Sequence, residues 1–108
     1  MTEKNINKAI AEVKNILNRN LGEGVELYLF GSVARKEYVR DSDIDILVLV
    51  PGEVNTAIEE RIIDLIYEVE LKYSVVFGVV VYSKKFWSSK KAKVMPFYQN
   101  IQNDVQRI

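Results

Sequence analysis

From Glu3 to about Leu21 the apolar residues fall at Ile6, Ala9, Ile10, Val13, Ile16 and Leu17. That three-and-four spacing makes one helical face, with Lys, Asn and Glu on the other. Thr2 is a candidate cap for this helix, and Gly22 with Gly24 marks its end. Residues 25–30 (VELYLF) form a compact strand pattern, stopped by Gly31-Ser32. One or two helical turns follow over Ser32 to about Tyr38, then a polar stretch through Arg40, Asp41 and Ser42.

A second strand runs from Asp43 to Val50 and ends at the turn signal Pro51-Gly52. Its later half is apolar on both faces, as in a strand covered on both sides. Residues from about Asn55 to Tyr73 read as a long helix, with Ile58, Ile62, Leu65, Ile66 and Val69 inward and Asn55 or Thr56 as cap. Ser74 to Tyr82 is a third strand, rich in Val and Phe. Ser83-Lys84-Lys85 then opens a short stretch with Phe86 and Trp87. After a basic connector (Lys90, Lys91, Lys93), Pro96 opens a last helix carrying Phe97, Ile101, Val105 and Ile108 on one side. The alternation predicts an α/β (α+β) fold: a small mixed sheet of about three strands with helices packed on it. No repeat, low-complexity tract or linker interrupts it, so residues 1–108 read as one domain.

Composition narrows the chemistry. The chain has 108 residues, 48% hydrophobic and 28% charged, the proportions of an ordinary globular domain. Fifteen Lys plus Arg balance fifteen Asp plus Glu, which gives no strong nucleic-acid signal. There is no Cys, which excludes disulfide frameworks, thiol nucleophiles and Cys-ligated zinc. There is no His either, which removes imidazole-based catalysis and His metal sites. Catalysis must therefore use carboxylates, Lys, Arg, Tyr, Ser, backbone amides or a hard metal held by oxygen. The opening MTEKNINK lacks a signal-peptide core, and the longest apolar run, Val75 to Tyr82, is too short to span a bilayer. The expectation is a cytoplasmic protein with no membrane association.

Three features converge between the first two strands. Gly31-Ser32 sits where a strand runs into a helix, a place where backbone and hydroxyl can approach phosphate oxygens. Alone, a Gly-Ser pair in a turn is usually structural. Asp43 and Asp45, two apart in a strand, project to one face. Their mutual repulsion is resolved either by a hard cation with oxygen ligands or by water at a solvated strand end. Asp41 adds a same-parity carboxylate, but an EF-hand starting there would need Gly and Glu where Ile46 and Gly52 stand. Arg35, one helical turn after Ser32, can reach a phosphate, pair with the carboxylates or simply face solvent.

The segment Gly31-Ser32-Val33-Ala34-Arg35, a spacer of ten residues after Ser32, and then Ser42-Asp43-Ile44-Asp45-Ile46-Leu47-Val48 resembles the signature of the polymerase-beta-like nucleotidyltransferase superfamily. Its minimal nucleotidyltransferase (MNT) branch is the nearest pattern. The resemblance implies that Gly31 and Ser32, with Arg35, bind a nucleoside triphosphate. It also implies that Asp43 and Asp45 are catalytic ligands of Mg²⁺. It implies transfer of a nucleoside monophosphate, AMP from ATP, to a hydroxyl of a partner protein. Such transfer needs positioning and charge neutralisation more than covalent chemistry, so the lack of His is no obstacle.

One departure stands out. Active family members usually carry a third carboxylate on the next strand, and here residues 74–82 contain no acid. Alignment by eye puts Val76 or Gly78 at that position, while Glu68 and Glu70 are expected to face solvent from the preceding helix. Asp41, a partner or the substrate must then supply the acid, or the chain is a catalytically degenerate module that binds nucleotide or partner. Its short length leaves little room for an acceptor pocket and favours a site completed by another polypeptide. Proteins of the resembled branch often pair with a small all-helical HEPN protein, the nucleotidyltransferase acting as antitoxin by adenylylating the toxin. Phe86, Trp87, Phe97 and Tyr98 lie near Lys84, Lys85, Lys90, Lys91 and Lys93, a mixture that suits an interface or plain packing beneath solvated lysines. Tyr28 and Tyr82 are expected in the core. Self-association is left open.

Overall fold

The computed structural model describes residues 3–37 and 42–108. Thr2, Tyr38, Arg40 and Asp41, which figured in the expectations above, lie outside them. The chain forms α1 (Glu3–Leu21), β1 (Glu26–Phe30), α2 (Gly31–Ala34), β2 (Ile44–Val50), α3 (Thr56–Tyr73), β3 (Phe77–Ser83), α4 (Lys84–Trp87), α5 (Lys90–Lys93), α6 (Pro96–Ile101) and β4 (Gln106–Arg107). The strands make one mixed sheet in the order β3-β2-β1-β4. β1 runs antiparallel to both β2 and β4, whereas β2 and β3 are parallel. Parallel neighbours need a crossover, and α3 provides it.

The two faces of the sheet have different covers. Ile44, Ile46, Val48 and Val50 point to the face on which α1 and α3 lie, against Ile6, Ala9, Val13, Leu17, Ile62, Ile66 and Val69. Leu47 and Leu49 point the other way, into a second cluster with Phe30, Ile101, Tyr28, Val80, Tyr82, Trp87 and Phe97. This explains why the later half of β2 is apolar on both sides. Asp45 shares parity with Leu47 and Leu49, so the second face changes from acidic to apolar along β2, and Asp43 lies just before its start. Ile62 is fully buried between α3 and the sheet. Ile62→Ala is expected to cost about 2–5 kcal/mol through lost transfer energy and the cavity left behind. A fall in Tm with unchanged far-UV circular dichroism at low temperature checks it.

The ends of α3 follow their local chemistry. The Asn55 side chain accepts a hydrogen bond from the Ile58 amide at 2.9 Å, as a cap should. The helix stops at Ser74, which takes the left-handed conformation (φ 54°), and the Val75 amide donates to the Glu70 carbonyl. Those bonds occupy residues expected at the start of the third strand, so β3 begins at Phe77. Glu70 is also corrected: it is half-buried and accepts from the Phe77 amide at 2.7 Å, pinning the first residue of β3. Glu68 is exposed, as expected.

The C-terminal region departs most from expectation. The last helix ends at Ile101, and the polar stretch Gln102-Asn103-Asp104 turns the chain. Val105 and Ile108 therefore lie beyond the helix, not on its face. Gln106 and Arg107 pair with Leu29 and Tyr28 as a fourth strand, and the Ile108 amide donates to the Leu27 carbonyl at 3.0 Å. The basic connector contains a single turn, α5, capped by the Ser89 hydroxyl at the Ala92 amide.

The aromatic residues of this region pack together on the second sheet face. Trp87 lies 4.7 Å from Tyr98, 5.5 Å from Tyr82 and 6.1 Å from Phe97 between ring centroids, and Phe97 stands edge-on to Phe30 at 5.4 Å. Their placement beneath the short helices is the packing alternative raised by the sequence, with Lys85, Lys90, Lys91 and Lys93 exposed around them.

Candidate active site

β1 ends where α2 begins, so Phe30 is the last strand residue and Gly31 the first of the turn. Gly31 has φ +77°, a conformation L side chains rarely adopt. Across the antiparallel pair Phe30 stands opposite Asp45, and across the parallel pair Asp45 stands opposite Gly78. Gly78 is thus the partner of Asp45 on one side, and Gly31, next to Phe30, lies against its carboxylate on the other. A Cβ on Gly31 would overlap Asp45 Oδ2, and one on Gly78 would come within 2.6 Å of Oδ1. Both glycines are thus explained by close approach to one carboxylate.

This register also accounts for the acid-free third strand. Gly78 is the direct neighbour of Asp45, and the Val76 carbonyl accepts from the Ile44 amide at 2.8 Å. The two positions picked out by eye therefore do flank the acidic pair, and neither carries a carboxylate. At Gly78 the space such a side chain would need is taken by Asp45 itself. Gly78→Ala leaves the backbone unstrained, since only the end of a flexible side chain must move. We expect a stability change below about 1 kcal/mol but a displaced Asp45. Paired measurements of Tm and of divalent-cation affinity separate the two effects.

The electrostatics place the two aspartates together. Burial raises the pKa of the Asp45 carboxyl from its ordinary value, and the nearby Asp43 charge raises it further. Arg35 acts in the opposite sense, so its guanidinium also reaches the cluster electrostatically. Asp43 is exposed just before β2, and Asp45 is half-buried within it. Two hard oxygen donors, one partly desolvated, at the entry of a strand fit a hard cation that completes its shell with water and phosphate oxygens. Among the described residues no three acidic side chains cluster closely enough to hold a metal by themselves.

Arg35 has a partner the sequence did not suggest. Its Nη1 donates to Asp104 Oδ2 at 2.8 Å and its Nε to Glu37 Oε2 at 3.0 Å. The same Asp104 oxygen accepts from the Gly31 amide at 3.1 Å. Asp104 lies 73 positions from Gly31, a polar residue within the helical pattern expected there, so no local signal marks it. Gly31, Ser32, Asp43 and Asp45 thus meet at one end of β1 and β2, with Arg35 at the rim. A groove of about 610 Å³ between α1 and α3, lined by Glu12, Arg19 and Lys72, shares none of these residues.

Comparison with known proteins gives consistent answers. A family model described as "Nucleotidyltransferase domain" matches residues 10–98. The chain is 39% identical over 87 residues to the candidate protein adenylyltransferase MJ0604 of Methanocaldococcus jannaschii, covering 80% of this chain and 82% of that one. It is 31% identical over 81 residues to MJ0141, named likewise, from the same organism, covering 74% and 82%. Among solved structures, a chain of a toxin–antitoxin complex with AMP-PNP superposes with a TM-score of 0.55 at 19% identity, covering 99% of this chain and 72% of that one. A chain of the complex of a tri-AMPylated Shewanella oneidensis HEPN toxin with an MNT antitoxin gives 0.53 at 20% identity, covering 99% and 71%. At that identity the structural matches show a common fold. No helix among the described residues is long and apolar enough to cross a membrane.

Proposed function

The chain belongs to the nucleotidyltransferase domain family, and from that membership we propose that it transfers AMP from ATP to a hydroxyl of a partner protein. The observation that carries this reading is the seat of Asp45. Its carboxylate is desolvated between two glycines, beside Asp43, at the strand end that leads into Gly31-Ser32. In this reading Gly31 and Ser32 receive the triphosphate, Arg35 neutralises part of its charge, and Asp43 and Asp45 hold Mg²⁺. When bound, that ion supplies polarisation of the α-phosphate and charge neutralisation.

The reaction asks little covalent chemistry of the protein. An acceptor oxygen forms a bond to the α-phosphorus, the α–β bridging bond breaks, and pyrophosphate departs. The protein's part is to align donor and acceptor and to hold charge where it develops. The acceptor's proton passes to solvent or to a carboxylate brought from elsewhere, since β3 offers none. The relatives named as protein adenylyltransferases, and the HEPN–MNT complexes sharing the fold, favour a HEPN-type partner and an antitoxin role. Residues 1–108 would then act as one domain whose acceptor pocket the partner completes.

Gly78 and Val76 beside the acidic pair favour one second reading, a module that binds nucleotide or partner without transfer. Calorimetry with Mg·ATP, followed by labelled ATP incubated with the co-purifying partner, separates the two. Covalent label on the partner supports transfer, and Mg²⁺-dependent binding without label supports the second reading. A wild-type chain that neither binds Mg·ATP nor labels a partner overturns both.

A further inference from the structure

The turn that meets the nucleotide in the proposed reaction has little stability of its own. α2 is four residues long, far below the length at which a helix persists unaided. Gly31, at φ +77°, brings the backbone freedom of glycine, and Arg35 is a half-exposed side chain with many rotamers. Something outside this turn must fix it.

Val33 and Ala34 anchor the middle of α2 in the core, and the C-terminal segment holds both of its ends. Asp104 Oδ2 accepts from the Gly31 amide at the start of α2 and from Arg35 just beyond its end. The Gln106 amide, Nε2, donates to the Ala34 carbonyl at 3.1 Å. The pairing of Gln106 with Leu29 and of Arg107 with Tyr28 anchors this segment to β1. The Asp104 side chain is only 11% exposed, and its Oδ1 is buried with no hydrogen-bond partner among the described residues. A buried carboxylate with one unsatisfied oxygen is costly and calls for an explanation. Its other oxygen meets both groups whose placement the nucleotide depends on.

We infer that Asp104 is a positioning residue for nucleotide binding, holding the Gly31 amide and the Arg35 guanidinium in the geometry that the triphosphate meets. The inference rests on the nucleotidyl-transfer reading and assigns Asp104 no contact with the reacting atoms. It is not a third metal ligand, because it forms no metal-holding cluster with Asp43 and Asp45. Asp104 at Nη1 and Glu37 at Nε hold the Arg35 guanidinium, which leaves Nη2 for a phosphate and keeps the charge within reach of Asp45.

The test is titration of the full chain with Mg·ATP, wild type beside Asp104→Ala, Asp104→Asn and Gln106→Ala. Asp104→Ala is expected to weaken binding about ten- to hundredfold, in the range of other losses of supporting side chains behind a ligand-binding group. Asp104→Asn retains an acceptor for the Gly31 amide but loses the ion pair, and should fall between wild type and Asp104→Ala. Gln106→Ala should weaken binding less than Asp104→Ala. Hydrogen exchange supplies a readout apart from nucleotide: the Gly31 amide should lose protection in Asp104→Ala and keep most of it in Asp104→Asn.

Wild-type affinity in Asp104→Ala overturns the inference. Tighter binding overturns it too, since the carboxylate would then be a competitor of the phosphate. If Asp104→Ala does not fold, Asp104→Asn decides by the same criterion. A wild-type chain that fails to bind Mg·ATP removes the nucleotidyl-transfer reading, and this inference with it. Unchanged affinity in the variants removes the inference alone.

Discussion

Replacing Asp43 or Asp45 by alanine is expected to lower nucleotidyl transfer about a thousandfold or more while leaving the fold intact. The size of the loss follows from the absence of substitutes. No third acid lies in metal-holding reach among the described residues, so each aspartate removed halves the protein's anionic contribution. The stability side has the opposite sign. Burial and the Asp43 charge raise the folded-state pKa of Asp45. A carboxylate with a raised folded pKa binds its proton more tightly folded than unfolded, so stability is lost as pH rises through that window. At neutral pH the penalty is fully present. Asp45→Asn should therefore match or exceed the wild-type Tm at pH 7 without metal, and the gap should close as pH falls below the ordinary value of 3.8. Transfer assays with labelled ATP and Tm measured against pH test the two halves. Full activity in either alanine variant would sink the metal-ligand assignment, and a collapsed fold would sink the electrostatic account.

Gly31→Ala is expected to be the most disruptive single-methyl change in the site, in contrast to Gly78→Ala. Gly31 lies in the left-handed region, where a Cβ costs about 1–2 kcal/mol on its own. The added carbon would also overlap Asp45 Oδ2, so the carboxylate must leave its seat between the strands. Backbone strain and steric displacement together should destabilise the chain by about 2–3 kcal/mol. Nucleotide binding should be lost as well, since the Gly31 amide and Asp45 move together. Denaturant titration beside Mg·ATP calorimetry tests this. Near-wild-type values in both would show that the close contact of Gly31 with Asp45 is unimportant.

The parts of this fold that sequence reveals are those set by local chemistry. The apolar stripes of α1 and α3 and the Asn55 cap are short-range patterns, and each occurs where the pattern puts it. The family resemblance points to Val76 or Gly78 on the third strand, and the register sets both beside the acidic pair. The tail is not legible in this way. Gln106 and Arg107 are polar, exposed and only two residues long as a strand, so nothing in their composition signals pairing. Glu70 is hidden for a related reason: a helix-end carboxylate looks solvated until the next strand brings its amide. Asp104 is hidden most fully, because its partners are far away in sequence.

The aromatic cluster gives this molecule an optical property of practical use. Trp87 is the only tryptophan in the chain, and it packs at tilted and edge-on angles among Tyr82, Phe97 and Tyr98, against the helix that leads into the tail. Indole emission shifts to longer wavelength when water replaces aromatic neighbours. Detachment of the C-terminal segment would therefore report itself in the wavelength of intrinsic fluorescence, with no label attached and no catalytic turnover required.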